Sequence, residues 1–277
     1  MSLTKINKSS DRLFFLGDTH GDNSLIGGHL MKGKAERIES KAIVHVGDFG
    51  IGFGNTLCEE YRKLDKLNTK LIEQNITLYI VRGNHDDPSW FDGKVYDNTN
   101  IIFVKDHTLL TIKLSDRTKP VKIYCNGGAV SIDRTKGTYF TDEKFTCPSD
   151  TELLDIPTDL DAIVTHSRPL GCYPTMYNEA VMRWCETDKD LDFDLRKEQL
   201  ALKRMFESIR ERNDSANNII HYFGHFHWSH RERIGDIAHI TLAIGEVVEF
   251  NYEREPKDQY NGKTLSGGLA NDTGPRA

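Results

Sequence analysis

The stretch Leu16-Gly17-Asp18-Thr19-His20-Gly21-Asp22 is the point from which the rest of this sequence can be interpreted. It follows the run 13–16, whose continuous apolar character predicts a buried strand. Asp18 and His20 then stand two residues apart, just beyond the end of that strand. A single acid or histidine after a strand is usually a helix cap or a surface residue. The stretch alone is therefore only a candidate for metal binding.

Four later segments repeat this construction, and each places Asp, Asn or His after a short run rich in Val, Ile, Phe or Tyr. They are Val46-Gly47-Asp48, Arg82-Gly83-Asn84-His85-Asp86, Val164-Thr165-His166-Ser167 and Phe223-Gly224-His225-Phe226-His227. From these five segments, two Asp, one Asn and four His are expected to meet at one rim, with one further His beside them. Imidazole, carboxylate and amide oxygen suit Zn, Mn or Fe. This number of ligands favours a pair of divalent ions over one.

The composition limits the classes of protein to be considered. The 277 residues, 38% of them hydrophobic, are enough to bury a core, and we interpret them as one domain. A formal charge of −6 disfavours a protein that coats nucleic acid or an anionic membrane, because both partners require a dense basic face. Nucleic acid stays open as a partner without being favoured. A small phosphorylated substrate is compatible with the charge, because bound cations reverse the local potential.

Cysteine usage and hydropathy concern the compartment. The five cysteines form no CxxC pair, and an odd number cannot all be paired within one chain. Free thiols are typical of a reducing cytoplasm. No apolar run approaches the roughly 18 residues that a membrane span requires. We therefore expect a cytoplasmic protein without a membrane partner.

The order of predicted elements indicates an α/β protein. Strands at 13–16, 42–46 and 76–81 alternate with helices predicted at 24–39 and 56–74, the second of which has leucines on one face. Further strands are predicted at 101–104, 109–114, 121–125, 161–164, 219–223, 237–243 and 246–250. The close spacing of the first three favours antiparallel pairing, and the last two have the pattern of a closing hairpin.

The same pass along the chain predicts its organisation. Residues 1–12 are polar and are expected to be a leader, followed by a single domain over 13–251. Within that domain, 170–218 has the composition of a helical cap inserted over the site. Residues 252–277 are polar and contain Gly and Pro, which predicts a disordered tail.

The ordered motifs Gly-Asp-Thr-His-Gly, Gly-Asp-Phe, Gly-Asn-His-Asp, Thr-His-Ser and Gly-His-Phe-His resemble those of the calcineurin-like metallophosphoesterase superfamily. The resemblance extends over about residues 13–250. It implies an α/β fold in which two mixed β-sheets pack as a sandwich flanked by helices. It also implies a hydrolase that acts on a phosphomonoester or a small phosphodiester.

The resemblance further implies a role for each motif residue. One ion would be held by Asp18, His20 and His227, and the other by Asn84, His166 and His225, with Asp48 between the two. Hydroxide activated by the metal ions would be the nucleophile, and His85 the general acid, its charge stabilised by Asp86 or Asp87. Two divalent ions are expected, with Mn²⁺ favoured and Fe, Zn and Ni as alternatives.

Three positions depart from the serine/threonine protein phosphatases of this superfamily, one of them being Asp86, where those enzymes have Glu. Their second motif is Gly-Asp-x-Val-Asp-Arg-Gly, and its second Asp and its Arg are replaced here by Ile51 and Gly52. The longer motifs are more similar to a little-characterised bacterial and phage group. Other arginines must then bind phosphate, since Arg forms a bidentate fork that Lys cannot match. The candidates are Arg82, Arg134 and Arg168.

Two alternatives remain open from the sequence. One is a nuclease or nucleotide phosphodiesterase, for which higher activity on a diester than on a monoester would be diagnostic. The other is a scaffold that binds metal and a protein partner without catalysis. Neither the substrate nor the oligomeric state follows from the sequence.

Overall fold

The computed structural model describes residues 2–26, 39–53, 56–92, 100–132, 134, 144–175, 177–212 and 218–251. Twelve strands lie within these ranges. They are β1 (Thr4–Ser10), β2 (Arg12–Leu16), β3 (Lys41–His45), β4 (Ile76–Ile80), β5 (Ile101–Phe103), β6 (Thr108–Leu114), β7 (Val121–Cys125), β8 (Ala162–Val164), β9 (Ile219–Phe223), β10 (His230–Ile234), β11 (Ile237–Thr241) and β12 (Val247–Glu249).

The strands form two mixed sheets, as predicted. The five-stranded sheet has the order β12-β2-β3-β4-β5, in which β2 to β5 are parallel and β12 is antiparallel to β2. The seven-stranded sheet has the order β1-β6-β7-β8-β9-β11-β10. The strands of its centre, β7, β8 and β9, are parallel, and β6–β7 and β10–β11 pair antiparallel.

The main core lies between the two sheets. Alternate residues of β2 and β3, among them Phe15 and Val44, join Ile123, Tyr222 and Ile240 of the other sheet in one buried cluster. The rings of Phe15 and Tyr222 stack across the interface, with 3.7 Å between their centroids. The central strands of both sheets are apolar on both faces because helices or loops cover the outer face of each sheet. The predicted sandwich of two mixed sheets is therefore confirmed.

Four α-helices are described over their full length, in addition to a 3₁₀ helix at Pro88–Asp92. They are α1 (Leu57–Glu73), α2 (Asp150–Leu154), α3 (Glu179–Thr187) and α4 (Leu191–Arg212). In α1, Leu64, Leu67 and Leu71 pack with the outer residues of the five-stranded sheet. In α4, Leu202 and Phe206 belong to the cluster that covers the outer face of the seven-stranded sheet. The helix predicted at 56–74 is thus confirmed within one residue at each end.

Two predicted pairings are wrong. β5 does not pair with β6; it lies parallel to β4 in the five-stranded sheet, and the chain then crosses to the other sheet. The closing hairpin is also wrong, because β11 pairs with β9 and β10, whereas β12 pairs with β2. Short strands joined by short loops can belong to either layer of a sandwich. Spacing along the chain therefore does not assign them to a sheet.

Two strands were not predicted, and both lie at edges of the seven-stranded sheet. β1 falls within the expected polar leader and pairs in parallel with β6. β10 has the sequence His-Arg-Glu-Arg-Ile and pairs with β11. Both strands expose most of their side chains, so neither has the apolar signal on which strand prediction depends.

The remaining predictions on the organisation of the chain concern segments that the structure describes only in part. Residues 24–26 are helical, and the rest of the helix predicted at 24–39 lies mostly outside the described residues, as does the tail at 252–277. The segment 170–218 contains α3 and α4. None of the helices in the described ranges has the length and apolar character that a membrane crossing requires. The domain limits and the cytoplasmic location remain predictions.

Candidate active site

The site lies where loops from both sheets meet. β2, β3 and β4 are parallel neighbours, so the loops that follow them leave the same edge of the five-stranded sheet. β8 and β9 are parallel neighbours in the other sheet. These loops bring together all the predicted ligands, namely Asp18, His20, Asp48, Asn84, His166, His225 and His227.

Cluster A consists of Asp18, His20, Asp48 and His227, whose ligand atoms lie within 4.8 Å of one another. The Nε2 atoms of His20 and His227 are 2.8 Å apart. His227 Nε2 is 3.3 Å from Asp18 Oδ2, and His20 Nε2 is 3.9 Å from Asp48 Oδ2. The two carboxylates are buried and the two imidazoles reach the surface. Cluster A is therefore open to solvent on its histidine side.

Cluster B consists of Asp48, Asn84, His166 and His225. The ligand atoms of its acid and two histidines lie within 4.8 Å of one another. His166 Nε2 is 3.2 Å from Asp48 Oδ1 and 3.1 Å from Asn84 Oδ1. Asp48 thus directs Oδ2 toward cluster A and Oδ1 toward cluster B. This is the geometry expected of a carboxylate that bridges two ions.

Two observations fit a divalent cation at these clusters. Asp18 Oδ1 is buried and has no hydrogen-bond partner among the described residues. His166 Nδ1 lies 2.9 Å from the Val46 carbonyl oxygen, which can only accept, so Nδ1 carries the proton. In a neutral imidazole Nε2 then presents its lone pair to the cluster, which is how metal-binding histidines are commonly oriented.

The electrostatics of the two clusters differ. Burial lowers the pKa of His225 to about 3, and burial also lowers the pKa of His20. Burial opposes protonation of His166, but the Asp48 carboxylate outweighs it and raises the pKa of His166 to about 9. A hydrogen bond to Asp18 raises the pKa of His227. In cluster B, protonated His166 and the Asp48 carboxylate therefore form an ion pair. A metal cation bound there would take the place of the His166 proton.

The backbone at the site is unusual. His20, Asp48, His225 and His227 all have positive φ, between 47° and 69°. Residues other than Gly rarely adopt this left-handed conformation, which costs about 1–3 kcal/mol per residue and is concentrated at functional sites. More than half of the predicted ligands are thus held in a backbone conformation that the surrounding fold must impose.

Glycines beside the ligands allow the loops to approach one another. A Cβ atom at position 224 would collide with Asp18 Oδ1, and one at position 83 would collide with Asp48. The backbone N–H of His225, just after Gly224, instead donates to Asp18 Oδ2 over 2.9 Å. The Gly in each motif therefore permits the close packing of backbone against a carboxylate.

Comparison with known proteins agrees with this geometry. Over residues 12–195 the sequence matches the family model described as calcineurin-like phosphoesterase. The chain belongs to this family. It is accordingly a metal-dependent phosphoesterase, and its family implies divalent metal ions, for which the two clusters are the candidate ligands.

Solved structures and curated proteins add little. A phosphopantetheinyl hydrolase from Mycobacterium tuberculosis is 12% identical, with a TM-score of 0.41, over 85% of this chain and 91% of that one. A conserved protein of Streptococcus pneumoniae TIGR4, described as a predicted phosphoesterase, is 13% identical, with a TM-score of 0.31, over 85% of this chain and 73% of that one. No curated protein matches.

His85 lies beside the clusters of this phosphoesterase. Its ring is 5.3 Å from that of His20, centroid to centroid, and its backbone N–H donates to Asp48 Oδ1 over 2.7 Å. A cavity of about 740 Å³ opens over the site and is lined by His85, Asp48 and Asn84. The imidazole of His85 is therefore placed to meet a substrate in this cavity.

Asp86 has a different environment from the one expected of a partner for His85. Its two carboxylate oxygens accept hydrogen bonds from the backbone N–H groups of Phe49, Gly50, Ile51 and Gly83. Burial, with the charge of Asp48 in addition, raises the pKa of Asp86 to about 6. The carboxylate joins the loop after β3 to the loop after β4.

The three candidate arginines are not in the cavity over the clusters. Arg82 Nη2 pairs with Asp106 over 2.8 Å and also donates to the Lys144 carbonyl. Arg134 pairs with Asp194 over 2.8 Å and with Asp188 over 3.5 Å. Arg168 is 2% exposed and lines a second, adjoining cavity. Arg82 and Arg134 are therefore engaged in ion pairs within the protein.

Several polar contacts near the site have no counterpart among the sequence predictions. The Nε2 atoms of His45 and His221 lie 3.1 Å from Thr19 Oγ1 and 2.8 Å from Thr165 Oγ1, and the Gly47 N–H donates to His45 Nδ1 over 3.3 Å. Asn84 Nδ2 donates to Ser131 Oγ over 2.8 Å, which directs Oδ1 to cluster B. Thr19 and Thr165 each directly precede a predicted ligand in their motifs. That adjacency is the signal in the sequence from which these contacts could have been predicted.

Proposed function

We propose that this phosphoesterase is a dinuclear hydrolase of small phosphate esters, with Asp48 shared by the two ions and His85 as the general acid. The observation that carries the proposal is the position of Asp48, whose two oxygens face different clusters. The remaining ligands then divide as three and three. Asp18, His20 and His227 would hold one ion, and Asn84, His166 and His225 the other.

The residues of the chain supply position and protons. Two bound cations would lower the pKa of a shared water toward about 7 and stabilise charge on the phosphoryl oxygens. His85, when protonated, donates to the departing oxygen, a role typically worth about 10²–10⁴-fold in rate. Asp86 fixes the loop that carries His85, through its bonds to Gly83 and Gly50. Asn178 and Val181, at the start of α3, form part of the opposite cavity wall.

The test uses purified protein reconstituted with Mn²⁺ and assayed on p-nitrophenyl phosphate and on bis(p-nitrophenyl) phosphate. We expect turnover of at least one, with kcat reduced about 10²–10⁴-fold in His85→Ala at unchanged metal content. His230→Ala is the matched control, since His230 lies on edge strand β10 and its ring contacts that of Tyr173 at an interplanar angle of 34°. Absence of turnover of both esters by protein that contains two metals would contradict the proposal.

The identity of the metal is a separate part of the proposal. Mn²⁺ is proposed because the ligands combine imidazole with carboxylate and amide oxygen. Reconstitution of metal-free protein with Mn²⁺, Fe²⁺, Zn²⁺ or Ni²⁺ in parallel would rank the ions by kcat/KM and by stoichiometry. A stoichiometry of one ion at saturation would exclude the dinuclear arrangement. Preference for the diester over the monoester would direct attention to nucleotide phosphodiester bonds.

A further inference from the structure

A second cavity adjoins the cavity over the clusters. Its empty space, including the part that is open to solvent, amounts to about 510 Å³, and we call it the Arg168 cavity. The two cavities share five lining residues, which are Ile132, Asn178, Val181, His225 and Phe226. One ligand can therefore extend from the clusters into the Arg168 cavity without leaving the protein.

The walls of the Arg168 cavity are mainly apolar. Leu195, Pro174 and Tyr177 line it beyond the shared residues. Such walls favour a carbon-rich group over water. The part of a substrate that enters this cavity is thus expected to have an apolar body.

The main charged group in the cavity is the Arg168 guanidinium. It is buried, lies 5.5 Å above the Phe226 ring and makes one long hydrogen bond, 3.4 Å, from Nη1 to the Pro169 carbonyl. Its Nε has no hydrogen-bond partner, and it forms no ion pair with a carboxylate of the described residues. Burial lowers the pKa of Arg168, and nearby charges, those of Glu232 and Glu198 among them, offset this effect only in part. A buried guanidinium without a directly paired carboxylate is therefore costly.

The acid beside Arg168 does not supply the missing charge in full. Glu198 lines the same cavity and is 6% exposed. Burial raises the pKa of Glu198 to about 7, so its carboxyl group carries only part of a negative charge at neutral pH. Its Oε2 is buried without a hydrogen-bond partner among the described residues. Two buried polar groups that face one cavity thus both retain unused hydrogen-bonding capacity.

We propose that the Arg168 cavity binds the leaving group of the substrate, and that this group has an apolar body ending in a carboxylate that pairs with Arg168. The inference rests on the proposed function, because it assumes that the phosphate lies at clusters A and B. A carboxylate fits better than a second phosphate, since the planar guanidinium matches it in a bidentate fork and the walls offer one full positive charge. Arg168 then determines specificity rather than chemistry.

The test compares 4-carboxyphenyl phosphate with phenyl phosphate, using the Mn²⁺-loaded enzyme. We expect wild-type protein to favour the carboxylated ester in kcat/KM. In Arg168→Met that preference should fall about ten- to hundredfold, as for loss of a charge-assisted hydrogen-bonded pair, with the rate on phenyl phosphate unchanged. Comparing the two proteins cancels the intrinsic difference between the leaving groups. An unchanged preference, or an equal fall on both esters, would overturn the inference.

Control variants separate folding from recognition. Arg183→Met removes an exposed arginine from α3 and should leave the preference intact. If Arg168→Met does not fold, as judged by its melting temperature, Arg168→Lys is used instead. It retains the charge but not the fork, so the preference should still fall.

A binding measurement distinguishes failure of the inference from failure of the proposed function. Calorimetric titration of metal-free protein with 4-hydroxybenzoate, and with phenol as control, requires no turnover. We expect 4-hydroxybenzoate to bind at least tenfold more tightly than phenol, and Arg168→Met to abolish the difference. If 4-hydroxybenzoate binds in this way but neither ester is hydrolysed, the Arg168 cavity is supported as a carboxylate site and the proposed function is rejected. Equal binding of 4-hydroxybenzoate and phenol would reject the Arg168 cavity as a carboxylate site.

Discussion

At the scale of single residues, the site depends on positions where no other side chain fits. Gly224 is the clearest case, since a Cβ there would meet Asp18 Oδ1. We expect Gly224→Ala to displace Asp18 or the β9 loop and to lose at least one bound metal. Metal stoichiometry measured by atomic emission is the check.

Gly235→Ala provides the comparison for that variant. Gly235, unlike Gly224, has positive φ, and the nearest contact of an added Cβ is 3.6 Å away, at the Arg210 side chain. Backbone strain should cost about 1 kcal/mol of stability without loss of metal. Full metal content in Gly224→Ala would show that the close approach is not required.

Glu198 gives the second prediction at this scale, and it concerns pH. Burial raises its pKa from 4.5 to about 7, so folding favours the protonated form. Its contribution to stability is complete below pH 4.5 and is lost as the pH rises through 7. Relative to Glu198→Gln, metal-free wild-type protein should therefore lose roughly 2–3 kcal/mol of unfolding free energy between pH 4.5 and 8. Urea denaturation of both proteins measures this difference, and parallel pH profiles would contradict it.

At the scale of elements, α3 is the weakest part of the wall over the site. None of its residues is buried, and its N-cap is the Asn178 side chain, which accepts from the Val181 N–H over 2.9 Å. Loss of such a cap costs about 1 kcal/mol, or fivefold in a local opening equilibrium. We expect Asn178→Ala to accelerate amide hydrogen exchange of 181–187 about fivefold. This helix is the part of the predicted cap segment that faces the cavity.

The corresponding cap of α1 is the matched control. Thr56 Oγ1 accepts from the Glu59 N–H over 3.2 Å, and α1 packs through its leucines on the five-stranded sheet. Thr56→Ala should lower global stability by about 1 kcal/mol and leave exchange in α3 unchanged. Equal exchange rates in wild type and Asn178→Ala would mean that other contacts hold α3 in place.

The sequence predicted some elements of the fold and missed others. The apolar runs β2, β3, β4 and β9, and the loops after them, were predictable because burial on both faces leaves a continuous signal. Edge strand β10 was not, since its side chains face solvent. The residues that meet in the two clusters could be predicted from the motifs, but the ion pair of Arg82 could not. Its partner Asp106 is 24 residues away and belongs to no motif.

At the scale of the whole molecule, the two clusters connect the two sheets. Asp18, Asp48 and Asn84 follow strands of one sheet, and His166 and His225 follow strands of the other. A ligand that binds only the folded state stabilises it by about 4 kcal/mol at a thousandfold excess over its Kd. We expect the melting temperature to fall by several degrees when EDTA removes the metal.

Two variants refine that measurement. His85→Ala should show the full effect of EDTA, because His85 is not among the proposed ligands. His227→Ala removes one ligand of cluster A and should show a smaller effect. If EDTA leaves the melting temperature of wild type, His85→Ala and His227→Ala unchanged, no metal ion at the clusters stabilises the contact between the two sheets.

The pairing of β12 with β2 has a consequence for biosynthesis. β12 forms an edge of the five-stranded sheet beside the strand that leads to Asp18, and the Gly245 N–H donates to the Asp18 carbonyl over 2.9 Å. Asp18, the first of the proposed ligands to be synthesised, is thus held in place by a segment synthesised more than 200 residues later. A nascent chain arrested before residue 245 should lack a competent metal centre, which would delay activity until translation of the domain is nearly finished.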